Sequence, residues 1–152
     1  AIDLIAWLSG EKFKSVFGAH SSQFNHDHGD LEMSAMCQFT MTGEVYASAS
    51  MDYLNPANAL SHGDDRVRVA GTDGVVEVRG GQVFLTNGEQ KGTQVLPAAC
   101  KLTGLHDFLG CVREKKRPLL DGWQTLAVAE ACLLARQSAD EGKVMVFPAE
   151  KR

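Results

Sequence analysis

Between Phe13 and Leu54 the side chains alternate with a period of two through three successive segments, a pattern that selects extended, half-buried strands. Phe13, Ser15, Phe17 and Ala19 alternate with Lys14, Val16, Gly18 and His20. Leu31, Met33, Ala35, Cys37 and Phe39 alternate with Glu32, Ser34, Met36, Gln38 and Thr40. After a Thr42-Gly43 turn, Val45, Ala47, Ala49, Met51 and Tyr53 alternate with Tyr46, Ser48, Ser50 and Asp52. Each segment predicts a strand with one apolar face, the last two forming a hairpin. The other face is the unusual one. No Lys or Arg occurs between Ser15 and Asp65, although the chain carries 15 of them. Solvated sheet faces usually carry charge, and natural edges use Lys to resist association. A face of Ser, Thr, Gln, Met and Tyr therefore predicts sheet-to-sheet packing in a homo-oligomer.

The rest of the chain supplies a strand meander and three helices. Ile2 to Leu8 carries helically spaced apolar residues and stops at Ser9-Gly10; with no capping residue before it, the chain reads as a piece of a longer polypeptide. Arg66 to Ala70, Val75 to Val78, Gln82 to Leu85 and Gln94 to Leu96 predict short strands, with turns at Thr72-Asp73-Gly74 and Gly80-Gly81. Leu105, Phe108, Leu109 and Val112 make a helical stripe, closed by Arg113, Lys115, Lys116, Arg117 and Pro118. Asp121 with Gln124 forms a capping box for a long helix whose apolar face is Leu126, Val128, Ala129, Cys132, Leu133 and Ala135. Lys143 to Phe147 is a last strand. The order predicts an α+β fold, a mainly antiparallel open-faced sheet with helices packed on one face, as a single domain over 1–152.

Composition and motif content exclude several functions. A net charge of -4 argues against a nucleic-acid partner, and no apolar run approaches the ~18 residues of a membrane span. No two glycines are separated by one residue, so the Gly-x-Gly-x-x-Gly dinucleotide fingerprint cannot occur. Four cysteines without a C-x-x-C pair read as core thiols of a reducing, cytoplasmic protein. His26-Asp27-His28-Gly29-Asp30 offers metal-ligand types, but spacing fixes no third ligand and the segment reads as a turn; no metal is expected. His62-Gly63-Asp64-Asp65-Arg66 gathers an imidazole, two carboxylates and a guanidinium where a loop meets a strand, a common position for binding groups.

Several stretches, Lys14-Ser15-Val16 among them, carry a resemblance. Asp3-Leu4-Ile5-Ala6-Trp7-Leu8-Ser9-Gly10, Met51-Asp52-Tyr53-Leu54 and the run from His62 through Val78 resemble the C-terminal domain of the glucose–fructose oxidoreductase / inositol dehydrogenase (Gfo/Idh/MocA) family. Arg117-Pro118-Leu119-Leu120, Cys132-Leu133-Leu134-Ala135-Arg136 and Asp140-Glu141-Gly142-Lys143-Val144 fit as well. The resemblance implies the substrate-binding and oligomerisation domain of an NAD(P)-dependent oxidoreductase acting on a sugar, cyclitol or related polyol. NAD or NADP would sit mainly on an N-terminal Rossmann domain absent from this chain, so the chain alone is not expected to be active.

The same resemblance assigns residues. Asp3 matches the Asp of the family's His-x-x-Asp stretch, whose His would stand just before Ala1; that makes Asp3 the catalytic candidate. Loops at one end of the sheet close the substrate pocket in these enzymes. The stretch from Tyr53 to Asp65 is expected to do so here, with Asn55, His62 and Asp65 supplying the donors and acceptors a polyol needs, and Asp65 either orienting His62 or capping the turn. A second class of function compatible with the sequence is a non-catalytic oligomerisation or ligand-sensing module. A third is a small metal protein built on His26 and His28.

Overall fold

The computed structural model describes residues 1–59, 63–96, 103–120 and 122–148. The elements run in chain order α1 (Ile2–Ser9), β1 (Phe13–Ser21), β2 (Ser34–Met41), β3 (Tyr46–Asp52), β4 (Arg66–Gly71), β5 (Gly74–Arg79), β6 (Gln82–Asn87), β7 (Lys91–Val95), α2 (Gly104–Glu114), α3 (Gly122–Glu141) and β8 (Met145–Val146). This is an α+β fold. Its strands divide into two antiparallel four-stranded sheets, in the orders β3-β2-β1-β8 and β4-β5-β6-β7. The chain forms two compact units, Ala1–Leu54 with Lys116–Arg152, and Asn55–Lys115.

In the first unit α1 ends where the sequence places its stop. Gly10 takes the left-handed conformation and its N–H caps the carbonyl of Ala6 at 3.0 Å, while Ser9 Oγ donates to the carbonyl of Ile5 at 2.7 Å. The core lies between one face of the β3-β2-β1-β8 sheet and the helices, built on Ile2, Val16, Cys37, Phe39, Met41 and Ala131. Burying a side chain such as Phe39 contributes about 1.5–3 kcal/mol. Burial also pushes the Cys37 thiol above its ordinary range. The alternation in β2 and β3 falls as expected, with Cys37, Phe39 and Met41 buried and Gln38, Ser48 and Ser50 on the opposite face.

Strand β1 departs from simple alternation. Its pairing with β2 shifts register between Phe13 and Ser15, and this bulge reverses the phase of the strand. Phe13 and Val16 both pack into the core, Phe13 with its ring 4.9 Å from that of Phe39. Ser15, Phe17 and Ala19, which the strict period groups with Phe13, lie on the other side; Val16 and Gly18 are the buried positions.

The face of α3 also differs from the expected one. Val128, Ala131, Leu134, Ala135 and Ser138 pack inward, whereas Leu126, Cys132 and Leu133 are exposed. The helix lies so close to β1 that a Cβ on Gly18 would sit 2.4 Å from the carbonyl oxygen of Ala135. Such an approach demands small residues, and Ala131 and Ser138 are fully buried. Ser138 Oγ accepts from the Gly18 N–H at 2.9 Å and donates to the carbonyl of Lys143 at 2.5 Å, so the one buried polar side chain among the described residues is satisfied. His20 Nε2 and Asp140 Oδ1 meet at 2.9 Å, and Arg136 bridges Asp140 to Glu32. The expected cap, Asp121, lies outside the described residues.

In the second unit β4 to β7 form the expected meander, turning at Thr72-Asp73 and Gly80-Gly81. Thr103 caps α2 by accepting from the His106 N–H at 3.3 Å. The apolar stripe of α2 forms on one face as its spacing requires, yet Leu105, Phe108 and Val112 remain exposed. Spacing makes the helix amphipathic but does not say what covers it.

Candidate functional site

Asp3 stands in the first turn of α1, where an acidic side chain also complements the helix dipole. Its side chain borders a recess of about 240 Å³ lined otherwise by Leu120, Gln124, Thr125 and Val128. Leu120 precedes α3, Gln124 and Thr125 stand in its first turn, and Val128 follows one turn on, so the three helical residues share a side. A carboxylate, an amide and a hydroxyl thus meet over two apolar side chains. Sequence reasoning reached Asp3 through the family pattern alone and gave Gln124 only a capping role. Nothing in local spacing marks Leu120 or Thr125, and Val128 reads there only as part of the helix's apolar face, because the recess exists only once α1 and α3 pack together.

The second group of expected residues sits on the loop between β3 and β4. Asp52 Oδ1 accepts from the Leu54 N–H at 3.0 Å, starting the loop with an Asx-type turn. Asn55 and Asp65 are exposed, and His62 lies outside the described residues. The guanidinium of Arg66 is taken by Asp64 through two bonds, Nε to Oδ1 at 3.0 Å and Nη2 to Oδ2 at 2.9 Å. Asp64 is therefore a partner of Arg66.

The Lys- and Arg-free face is solvent-exposed on the β3-β2-β1-β8 sheet. Gln38 pairs with Ser48, Met36 with Ser50 and Thr40 with Tyr46, placing their side chains in one array. Ser15, Phe17, Gln38, Thr40, Tyr46 and Ser48 are among the residues lining a shallow groove of about 520 Å³, with Tyr46 75% exposed.

His26 and His28 do not lie on a strand. The segment makes successive turns, with the Asn25 N–H bonded to the carbonyl of Ser22 and the His28 N–H to that of Asn25, and His26 and Asp27 in the left-handed region. Among the described residues no three His, Cys, Asp or Glu side chains are grouped to hold a metal ion, and no helix is long and apolar enough to cross a membrane.

Comparison with known proteins places the fold. The model of the GFO/IDH/MocA C-terminal domain matches residues 1–77. An oxidoreductase of Thermotoga maritima is 41% identical, with a TM-score of 0.90, over 96% of this chain and 44% of that one. The aldose-aldose oxidoreductase of Caulobacter crescentus, solved with glycerol, has the same fold at 18% identity and a TM-score of 0.79, covering 96% of this chain and 44% of that one. The WlbA dehydrogenase of Bordetella pertussis, solved with NADH and UDP-GlcNAcA, follows at 17% identity and a TM-score of 0.73, over 98% and 43% of the two chains. No curated protein sequence matches. The chain thus spans less than half the length of each of these structures. With the first 77 residues matched by the family model and the fold shared along nearly its whole length, the chain belongs to the GFO/IDH/MocA C-terminal domain family.

Proposed function

We propose that this chain is the substrate-side and oligomerisation domain of an NAD(P)-dependent oxidoreductase that acts on a sugar, cyclitol or related polyol. The observation that carries this reading is the position of Asp3, which matches the family's His-x-x-Asp stretch and borders a recess with polar and apolar walls. The glycine fingerprint of a dinucleotide site is missing from the sequence, and the Asp3 recess is small for a dinucleotide. The cofactor, which would accept or deliver the hydride, belongs in this reading to another part of the polypeptide. What the chain contributes is a carboxylate beside the substrate. Asp3 accepts a hydrogen bond from a substrate hydroxyl or holds the neighbouring His of the family pattern in its reactive orientation.

The Lys- and Arg-free sheet face supports a self-association role. Exposed Phe17, Tyr46 and Met36 lie among hydroxyl and amide side chains on a surface without Lys or Arg, which suits a second copy of the same face. Asn55, His62 and Asp65 are proposed to supply substrate hydrogen bonds, as the family resemblance implies.

The test uses the full-length polypeptide. Sugars, cyclitols and polyols are screened with NAD and with NADP while nicotinamide absorbance is followed. Turnover is expected with at least one neutral polyol, and Asp3→Asn should lower kcat/KM by about tenfold or more, the scale of one charged hydrogen bond. Absence of turnover across the panel, or an Asp3→Asn protein with unchanged kinetics, refutes the assignment.

A further inference from the structure

We infer that the charged face of the β4-β5-β6-β7 sheet holds a phosphate group, gripped by Arg79 with Arg66 and Gln82 on either side of it. The register sets these three in a row on one face: Arg66 of β4 lies opposite Arg79 of β5, and Arg79 lies opposite Gln82 of β6. The other face of the same strands is apolar, with Val67, Val69, Val76, Val78, Val83 and Leu85. Like charges directly opposite one another destabilise a strand pair, so Arg66 beside Arg79 calls for an anion. The inference does not depend on the oxidoreductase reading.

The carboxylates of the chain meet that need only in part. Asp64 engages Nε and Nη2 of Arg66, at 3.0 and 2.9 Å, which leaves the Nη1 N–H groups for a further acceptor. Glu77 is paired with Arg68 at 3.4 Å. Among the described residues Arg79 has no ion-pair partner. Three guanidiniums thus meet two carboxylates, in a chain whose net charge is -4. The Arg79 guanidinium is also held in place, 4.6 Å from the centre of the Phe84 ring. Stacking on an aromatic face fixes the plane of the fork and leaves its N–H edge open, so little freedom is lost when an oxyanion binds. The fork takes two phosphate oxygens side by side, and a third oxygen is left for the Arg66 Nη1 or the Gln82 amide. A carboxylate has no third oxygen to offer. The phosphate charge of about -1.5 to -2 also competes with Asp64 for Arg66.

The experiment titrates the full-length protein against methyl phosphate and inorganic phosphate at constant ionic strength, with Kd read from broadening of the phosphorus resonance. Acetate, followed by saturation-transfer NMR, is the carboxylate arm. Saturable binding of phosphate is expected with a Kd of about 1 mM, tighter than acetate. Whichever phosphate probe binds tighter identifies an ester or the free ion as the source. Arg79→Gln should raise Kd by about tenfold or more, the scale of one charged hydrogen bond. Arg79→Lys should recover only part of that, because lysine keeps the charge without the fork. Asp64→Asn should tighten binding by about threefold or more, since it releases Arg66. Residues 64, 68 and 79 are exposed, and circular dichroism checks that each variant folds. The inference is overturned by Arg79→Gln binding within about twofold of wild type, or by acetate binding as tightly as phosphate. Arg68→Gln losing as much as Arg79→Gln would reduce the effect to the general charge of the face and overturns it as well. Should Arg79→Gln not fold, Asp64→Asn decides alone, and unchanged or weaker binding in that variant overturns the site.

Discussion

Replacing Gly18 by Ala should destabilise the fold although alanine suits most backbone positions better than glycine. The added methyl would lie 2.4 Å from the carbonyl oxygen of Ala135 and 3.5 Å from the Cβ of Ala139. The oxygen belongs to helix backbone and cannot swing aside as a flexible side chain would, so β1 and α3 must separate. Overpacking of this kind costs about 1–3 kcal/mol. Separation also stretches the 2.9 Å bond from the Gly18 N–H to Ser138 Oγ, a further loss of about 0.5–1.5 kcal/mol. Lower freedom of the unfolded chain returns about 0.4–1 kcal/mol. The net is a destabilisation near ~2 kcal/mol, which at typical denaturant slopes moves the urea midpoint down by roughly 1 M. Circular dichroism during urea unfolding reads this directly. Gly110→Ala is the control: that position lies inside α2 with nothing within 4 Å of a new Cβ, and the change should stabilise by about 0.5–1 kcal/mol. An unchanged or raised midpoint for Gly18→Ala would refute the close helix–strand approach.

Ser48→Lys places a cation in the middle of the Lys- and Arg-free sheet face, opposite Gln38, where burial of an unpaired ion would cost several kcal/mol. Light scattering on the full-length protein should show a smaller assembly; an unchanged mass, or a wild-type monomer, sinks the interface reading. Iodoacetamide should modify exposed Cys132 in the native state and reach buried Cys37 only on unfolding, which peptide mass mapping can follow. Because burial raises the Cys37 pKa, the unfolded chain gives up that proton first, so stability should fall as pH rises beyond the ordinary thiol range. The slope of urea midpoint against pH in that range should shrink in Cys37→Ala, and an identical slope would show that another group is responsible.

The sheet was the most legible part of the molecule because strand pairing repeats one simple period. Cys37, Phe39, Ala47 and Ala49 fall on the core side as their alternation requires. The bulge in β1 was not legible, since one unpaired residue leaves no mark in the sequence and yet reverses every side chain beyond it. The inward face of α3 was hidden for a different reason. Leu126 and Leu133 look like core residues, but the close approach of the helix to the strand at Gly18 turns small residues inward there, Ala135 and Ala139 at the contact and Ala131 and Ser138 fully buried. Of the candidate site, Asp3 could be read from a family pattern. Its neighbours in the recess could not, because they come from a helix at the far end of the chain.

The small residues and the recess are connected through α3. Gly18, Ala131 and Ser138 set how closely the helix lies on β1. The same rigid helix carries Gln124 and Thr125 in its first turn, where they line the recess that Asp3 borders from α1. A helix of 20 residues transmits a shift at one end to the other, since its backbone bonds resist bending. A larger side chain at the sheet contact is therefore expected to move Gln124 and Thr125 relative to Asp3. The small residues of α3 thus sit where the helix meets the strand and fix its position, while Leu126 and Leu133 face outward because nothing in that contact needs them.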